Sequence, residues 1–351
     1  MRYFKPIVIV LIIAAAWWWG FGPSASHKAI ASNPSITVLA TLEHPWGMDF
    51  LPDGRLIVTE RAGRLRLLTQ DGKLSEPIAG VPETQQGGQG GLLDVALDPH
   101  FSDNKRVYLS YAEPEGDKAG TAVARATLSG NRLNNLQVIF RQQPKTKGYN
   151  HFGSRLVFAP DGLLFITLGE RFDHAAQAQK LDNHLGKLIR IRPDGSVPPD
   201  NPFVHQASAL PEIWSYGHRN IQGAVIHPKT GALWIHEHGP KGGDEINIPK
   251  AGKNYGWPEA SYGSHYTSDP IPDEHAGRGF EEPIYHWTPS IAPSGMAFYS
   301  NTLYPAWNGT LLVGALAASE LTRLTLDGDK VVKEEKLLTD LGLRIRDVGV
   351  G

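Results

Sequence analysis

No cysteine occurs among the 351 residues. That excludes disulfide stapling, a thiolate metal site, a cysteine nucleophile and a lipidated cysteine anchor. An excess of charge of either sign is also missing. Lys and Arg number 34 against 36 Asp and Glu, a formal net charge of −2. A polyanion binder would carry a basic surplus, so nucleic acid is not an expected partner. After Ser32 no stretch has the 3.6-residue periodicity of a long amphipathic helix; only Ala176 to Leu185 reads as a short helical segment. Turn formers and apolar residues abound instead: 38 Gly, 26 Pro, 9 Trp and a hydrophobic fraction of 41%. This is the composition of a folded, turn-rich chain.

The first 31 residues read as an export signal. Arg2 and Lys5 precede an apolar run from Ile7 to Phe21. That run falls short of the roughly 20 residues of a spanning helix and suits a signal core. Ala29-Ile30-Ala31 has the small-x-small form of a cleavage site, which places a mature start near Ser32. The expected location is periplasmic or secreted, with no stable membrane association after cleavage. An uncleaved signal would instead leave a membrane anchor, with Trp17, Trp18 and Trp19 at the interface.

Residues 32–351 read as one domain built on a degraded repeat. Each copy is an apolar strand, a turn and a second apolar strand. The copies begin at Trp46, Gly91, Gly153, Gly223 and Ser294. Period-2 alternation marks the strands; in the first copy Leu56, Val58 and Glu60 face one way and Ile57 and Thr59 the other. Asp53-Gly54 and Asp161-Gly162 are hairpin turn signals. Several short strands per repeat predict an all-β fold, a six-bladed β-propeller. A sixth unit would open at Arg344 and reach Gly351 after one strand, so the last blade is expected to be incomplete. Either the N-terminal stretch SITVLATL fills part of the gap, or a C-terminal segment is missing from this chain.

Five polar clusters could carry chemistry. Gln89 sits among glycines that let a ligand approach the backbone. His151, between Gly148 and Gly153 and beside Asn150 and Arg155, is a candidate general base. His218, Arg219, Asn220 and Gln222 gather four hydrogen-bonding side chains next to two glycines, and an arginine fork suits carboxylates. In WIHEHGPKGGDEIN the His236 and His238 pair suggests zinc, whereas Asp244, Glu245 and the turn carbonyls suit calcium better. Arg344 and Arg346 are two apart on a strand and therefore share a face. Adjacent like charges are costly unless an anion lies between them or they pair with Asp347 or another carboxylate.

In this order the motifs GQGGLLDVALDPHF, GHRNIQG, EHGPKGGDEIN, NYGWP, APSG and RIRDV resemble the soluble pyrroloquinoline quinone (PQQ)-dependent aldose and glucose dehydrogenases. The resemblance runs from about Leu39 to Val348. It implies an oxidoreductase that converts aldoses to lactones and passes electrons to an unidentified acceptor. It implies that Arg344 and Arg346 contact the carboxylates of the quinone, with Gln89, Arg219 and Asn220 lining the same pocket. A calcium ion on the carbonyls of Gly239 and Pro240 would act as Lewis acid, and His151 would accept the anomeric proton. A second calcium is expected at Glu245 and the Tyr255 carbonyl. Asn150 and Trp287 are expected on the sugar side, Asn150 where well-known members carry aspartate. Ala317 stands where some members have a cofactor-binding lysine, and members continue for further strands beyond RIRDV. Two other functions share the fold: a non-catalytic carbohydrate-binding propeller and a calcium-dependent lactonase-type hydrolase. The second needs a convergent set of acidic side chains, which the sequence does not offer.

Overall fold

A computed structural model describes residues 35–351. The expected signal at 1–31 lies outside the described residues. Among the described residues no helix is long and apolar enough to cross a membrane.

The chain forms antiparallel sheets in sequence order. The first has three strands, β1 (Pro45–Phe50), β2 (Leu56–Glu60) and β3 (Arg64–Leu68). The second has β4 (Leu92–Leu97), β5 (Arg106–Glu115), β6 (Lys118–Ser129) and β7 (Arg132–Arg141). The third has β8 (Leu156–Phe158), β9 (Leu164–Thr167), β10 (Lys187–Ile191) and β11 (Ile213–Tyr216). In the fourth, β12 (Ile221–Ile226) and β13 (Leu233–Glu237) are followed by β14 (Lys241–Gly242), β15 (Asp244–Asn247), β16 (Gly263–Ser264) and β17 (Tyr285–Trp287). There β12, β13, β15 and β17 make the sheet, and β14 pairs with β16 in a side ribbon. The fifth has β18 (Pro293–Phe298), β19 (Leu311–Ala315), β20 (Leu321–Asp327) and β21 (Lys330–Leu337).

The first strand of each sheet touches the first strand of the next, from β1 through β4, β8 and β12 to β18. These five strands stand around an axis, and the sheets radiate from it as the blades of a β-propeller. Apolar seams fill the spaces between blades. Ile57 and Leu65 meet Leu92, Val107 and Leu109 in the first seam. Tyr108 and Phe140 meet Ile166 and Ile189 in the second. Phe165 and Leu188 meet Ile221 and Ile235 in the third, and Trp234 and Trp287 meet Met296 and Phe298 in the fourth. Each fully buried Leu or Ile contributes about 1.5–3 kcal/mol. Stacking covers both faces of a blade, so all five residues of β2 are buried. The alternation in the sequence separates two neighbours, not core from solvent.

The predicted hairpins form: Gly54 and Gly162 close the turns after β1 and β8 at φ 84° and 78°. The expected short helix is a 3-10 turn, Ala175–Gln179. The described residues form five blades, and the stretch from Arg344 onward builds no ladder. It is an extended segment held by single bonds: Ile345 N–H to the Ala315 carbonyl at 3.2 Å, and Gly295 N–H to the Arg346 carbonyl at 3.1 Å. On its other side the Met48 N–H donates to the Asp347 carboxylate at 2.9 Å. Ile345, Val348 and Val350 pack with Leu312 and Leu321 of the fifth blade. Leu39, Ala40 and Leu42 of the SITVLATL stretch pack against the outer face of the first blade, on Leu56, Val58 and Leu68. They form no strand.

Candidate active site

Gln89, His151, Arg219, Asn220, Arg344 and Arg346 come together at one mouth of the axial channel. The first loop holds His151 in a left-handed conformation, φ 52°. Its N–H donates to Gln89 Oε1 at 2.8 Å, which joins two of the sequence clusters. Its Nδ1 lies 3.1 Å from Glu170 Oε2, with both side chains buried. A carboxylate only accepts, so the proton of a neutral imidazole resides on Nδ1 and Nε2 carries the free lone pair. Burial lowers the His151 pKa below its ordinary value; Glu170 opposes this, and Arg219 and Arg171 add to it. The ring is therefore neutral at pH 7, the state a base requires.

Glu170 was not foreseen. It follows Gly169 at the end of β9, where Gly169 packs its α-carbon against the His151 carbonyl and the Asn220 side chain. The next two residues, Arg171 and Phe172, are both left-handed, with φ 67° and 68°. That conformation costs a non-glycine residue about 1–2 kcal/mol. It is held in place by Arg171, which stacks 3.6 Å over Phe152 and donates to the carbonyls of Gly148 (2.6 Å) and Asn150 (3.3 Å). Phe172 N–H donates to the Glu170 carboxylate.

A cavity of about 230 Å³ opens beside this base. Trp46, Gln89, Gln222, His238, Arg344 and Arg346 are among its lining residues. Arg346 donates to Gln222 Oε1 at 3.2 Å, and Gln222 leads on to Asn220 Oδ1 at 3.3 Å. Asn220 Oδ1 also accepts from Gly153 N–H at 3.1 Å, two residues from His151. Burial, with Arg155, Arg344 and Arg61 close by, lowers the Arg346 pKa to about 9. Arg61, also unforeseen, is lowered by burial and by Arg344. Guanidinium groups gathered this way await an anion. Ala317 is exposed and supplies no cation.

Beneath the cavity the arginines are braced. Arg155 Nη1 binds Asp94 at 2.9 Å and Asp347 at 3.1 Å. The two carboxylates occupy space left by glycines: a Cβ on Gly47 would lie 2.4 Å from Asp94, and one on Gly295 would overlap Asp347 outright. Trp46 carries Arg155 on its ring at 4.6 Å and Arg346 at 5.7 Å. Asp347 thus ties the segment that bears Arg344 and Arg346 to β1 and to the β8 flank.

Arg219 stands at the rim. Its Nη1 donates to the carbonyls of Gly239 (2.7 Å) and His238 (3.1 Å), and its Nη2 to the Tyr266 hydroxyl (3.0 Å). Its Nε and the Asn220 Nδ2 are buried without a partner, as expected of groups that await a ligand. His238 is neutral, its pKa lowered to about 4 by burial, and bonds the Pro293 carbonyl at 2.7 Å. Among the described residues no three His, Asp or Glu side chains converge on a ready metal centre. Asp244 is occupied by the N–H groups of Gly239 (2.9 Å) and Ala292 (2.8 Å), so it shapes the Gly239–Pro240 turn. Glu245 differs. Burial and the nearby Glu237, Asp244 and Glu282 raise its pKa well above the ordinary range. The Asn247 amide and His275 Nε2, the latter 4.0 Å from Glu245, have no partners. A hard cation among these oxygens would relieve the repulsion, so the residues fit calcium. Tyr255 stacks on His218 at 4.8 Å at the edge of this cluster.

Trp287 is not brought to the site. It is buried in the seam between the fourth and fifth blades, and its Nε1 donates to Glu334 at 2.7 Å. The resemblance implied a place on the sugar side, but β17 is the outermost strand of its blade. Asn150 is half-buried beside His151, and its carbonyl is used by Arg171.

The description of one protein family, glucose/sorbosone dehydrogenase, matches residues 42–351. The chain belongs to this family. An aldose sugar dehydrogenase of Escherichia coli K12, YliI, is 47% identical over 316 residues, which cover 88% of this chain and 85% of that protein. A glucose dehydrogenase crystal structure is 55% identical, with a TM-score of 0.86 and coverage of 88% and 91%. The PQQ-bound aldose sugar dehydrogenase of Streptomyces coelicolor is 31% identical, with a TM-score of 0.74 and coverage of 88% and 86%. Membership of the glucose/sorbosone dehydrogenase family makes the chain an oxidoreductase.

Proposed function

We propose that the protein oxidises an aldose at its anomeric carbon to the lactone, with PQQ and calcium as cofactors. The observation that carries this reading is the shared Gln89: it bonds the His151 backbone and lines the cavity that Arg344 and Arg346 face. A base turned away from the arginines would have favoured a carbohydrate-binding propeller. The bound quinone supplies a two-electron acceptor, and calcium polarises its reactive carbonyl. Arg344, Arg346 and Arg61 fit its carboxylates, while Arg219, Asn220 and Gln89 offer further donors. His151 Nε2 takes the anomeric hydroxyl proton as the C1 hydride departs, and Glu170 stabilises the imidazolium that results. The carbonyls of Gly239 and Pro240 would hold one calcium; Arg219 now engages the former, so its guanidinium would shift. Glu245 and the Tyr255 carbonyl would hold a second. The extended Arg344–Val348 stretch would serve as the inner strand of a sixth blade. Residues 1–31 would direct export, which cell fractionation with N-terminal sequencing checks: a start near Ser32 outside the cytoplasm is expected, a Met1 start in the membrane fraction would leave the uncleaved anchor, and a chain confined to the cytoplasm would overturn export.

The test is reconstitution. Purified protein is loaded with quinone and calcium, and dye reduction is followed with glucose and other aldoses. Sugar-dependent reduction that needs both additions and is lost in His151→Ala is expected. A loaded chain that reduces dye equally well without His151 would refute the assigned base, and a chain that binds no quinone would return the carbohydrate-binding reading.

A further inference from the structure

Another cavity, of about 140 Å³, lies further along the axis, away from the mouth. The inner segments line the two cavities in turn: Trp46 the first and Asp49 the second, then Leu93 and Asp94, Gln222 and Ala224, Arg346 and Asp347. Where the first collects cations, the second collects carboxylates. Asp94 and Asp347 converge on one nitrogen, Arg155 Nη1, at 2.9 and 3.1 Å. Their other oxygens accept the N–H groups of Leu156 (2.8 Å) and Met48 (2.9 Å). Asp49 accepts from the N–H groups of Phe50 (2.7 Å) and Leu97 (2.8 Å). The Arg155 side chain lines this cavity, is more than nine-tenths buried, and has an Nη2 without a partner. Such a donor suits a water held in a polar cavity. The other elements packed here bring no further charge: Ser110 on β5, Ala224 on β12 and Met296 on β18, with His236 on β13 kept neutral by burial.

We propose that this inner cavity is a proton-binding site, in which Asp94, backed by Asp347 and Asp49, takes up one proton from solvent when an anion fills the cavity above. The inference rests on the proposed binding of the quinone carboxylates at Arg344 and Arg346. The two cavities are within electrostatic reach of each other. Trp46 carries Arg155 at 4.6 Å on the carboxylate side and Arg346 at 5.7 Å on the cation side, and Arg346 feels both Arg155 and Asp347. Cations that face the carboxylates keep them ionised, and an anion bound to those cations cancels that support. Like charges out of water cannot all stay ionised, so the least stable carboxylate accepts the proton. Asp94 is that group. Burial, against the pull of Arg155 and with Asp347 adding to it, raises its pKa to about 7. The competing acceptors are His151 and His238, both neutral and both beside the cation cluster.

PQQ is titrated into calcium-saturated protein by calorimetry, in buffers of different ionisation enthalpy, which counts the protons bound per ligand. A group that titrates near 7 should take up about half a proton at pH 7, close to one at about pH 8 and almost none below about pH 6. Affinity should then fall about five-fold between pH 7 and pH 8. Infrared difference spectra of the same titration should gain the C=O stretch of a protonated aspartate, identified by isotope labelling of aspartate. Asp94→Asn, checked for folding by circular dichroism, should lose both the uptake and the band. Should that variant fail to fold, the wild-type spectrum decides: the aspartate band sustains the site, and its absence overturns it. Binding without proton uptake also overturns it. So does uptake that persists in Asp94→Asn and disappears in His151→Ala, which would place the proton on the imidazole. If wild-type protein binds no PQQ, the proposed cofactor fails, and trimesate, a flat aromatic tricarboxylate without redox chemistry, decides the linkage alone. Trimesate bound with the uptake and the band sustains it; no binding, or binding without them, overturns it.

Discussion

At the scale of single residues, the proposed reaction rests on one imidazole whose protonation is set by opposing neighbours. Burial and two arginines keep His151 neutral, and Glu170 supplies the partner that fixes its tautomer. A base must be unprotonated, so the acid limb of kcat/KM should lie below pH 6.5, the ordinary histidine value, with activity lost as pH falls through it. A pH-rate profile with its acid limb above that value would contradict the assignment. Glu170→Gln removes the group that favours the protonated ring. Its limb should therefore move further to acid while kcat falls by roughly 10²-fold or more. Of these two side chains the sequence displayed only one. A histidine among glycines before a strand is a conspicuous signal, whereas a glutamate after Gly169 has no local mark. Its role comes from a bond across 19 residues that only the closed blade creates. Trp287 failed in the opposite direction: its motif lies near the site in sequence, but its strand is the outer edge of a blade.

At the scale of elements, inner strands carry polar residues in space that glycine leaves open. Asp347, Asp94 and Arg155 form a buried ionic clasp beneath the cavity, and each partner comes from a different part of the chain. Removal of one member of such a set strands the others. Arg155→Met should destabilise the fold by about 3–5 kcal/mol, read as a shift in the denaturant midpoint. Gly295→Ala should act like a partial removal of the clasp, since its new methyl takes the position of the Asp347 oxygen. Quinone affinity should then fall by ten-fold or more while folded content by circular dichroism persists; unchanged affinity would separate the clasp from the arginines. The alternation that revealed the strands was sound, but it could not say that both faces were covered. RIRDV offered Asp347 as a partner for its own arginines, whereas the carboxylate binds Arg155 from another blade.

At the scale of the whole molecule, the ring and its proposed metal are thermodynamically linked. A calcium ion bound only by the folded chain adds about 2.7 kcal/mol when free calcium is one hundred times its dissociation constant. Tm should therefore rise by several degrees with calcium, and Glu245→Gln should lose most of that rise. A chelator that leaves Tm unchanged would argue against the Glu245 site. The propeller class was legible because turn signals recur with every strand pair. Five blades stand among the described residues where the five copies begin, and the stretch after Arg344, read as the opening strand of a sixth, is extended and held by single hydrogen bonds from its neighbours in space.

The contact between Met48 and Asp347 spans 299 residues. The cavity wall draws on Trp46 and Arg61 near one end of the described chain and on Arg344 and Arg346 near the other. A product that lacks Arg344 and Arg346 lacks this pocket, however well its early blades have folded. The proposed cofactor would therefore find its full set of donors only once both ends of that span are in place.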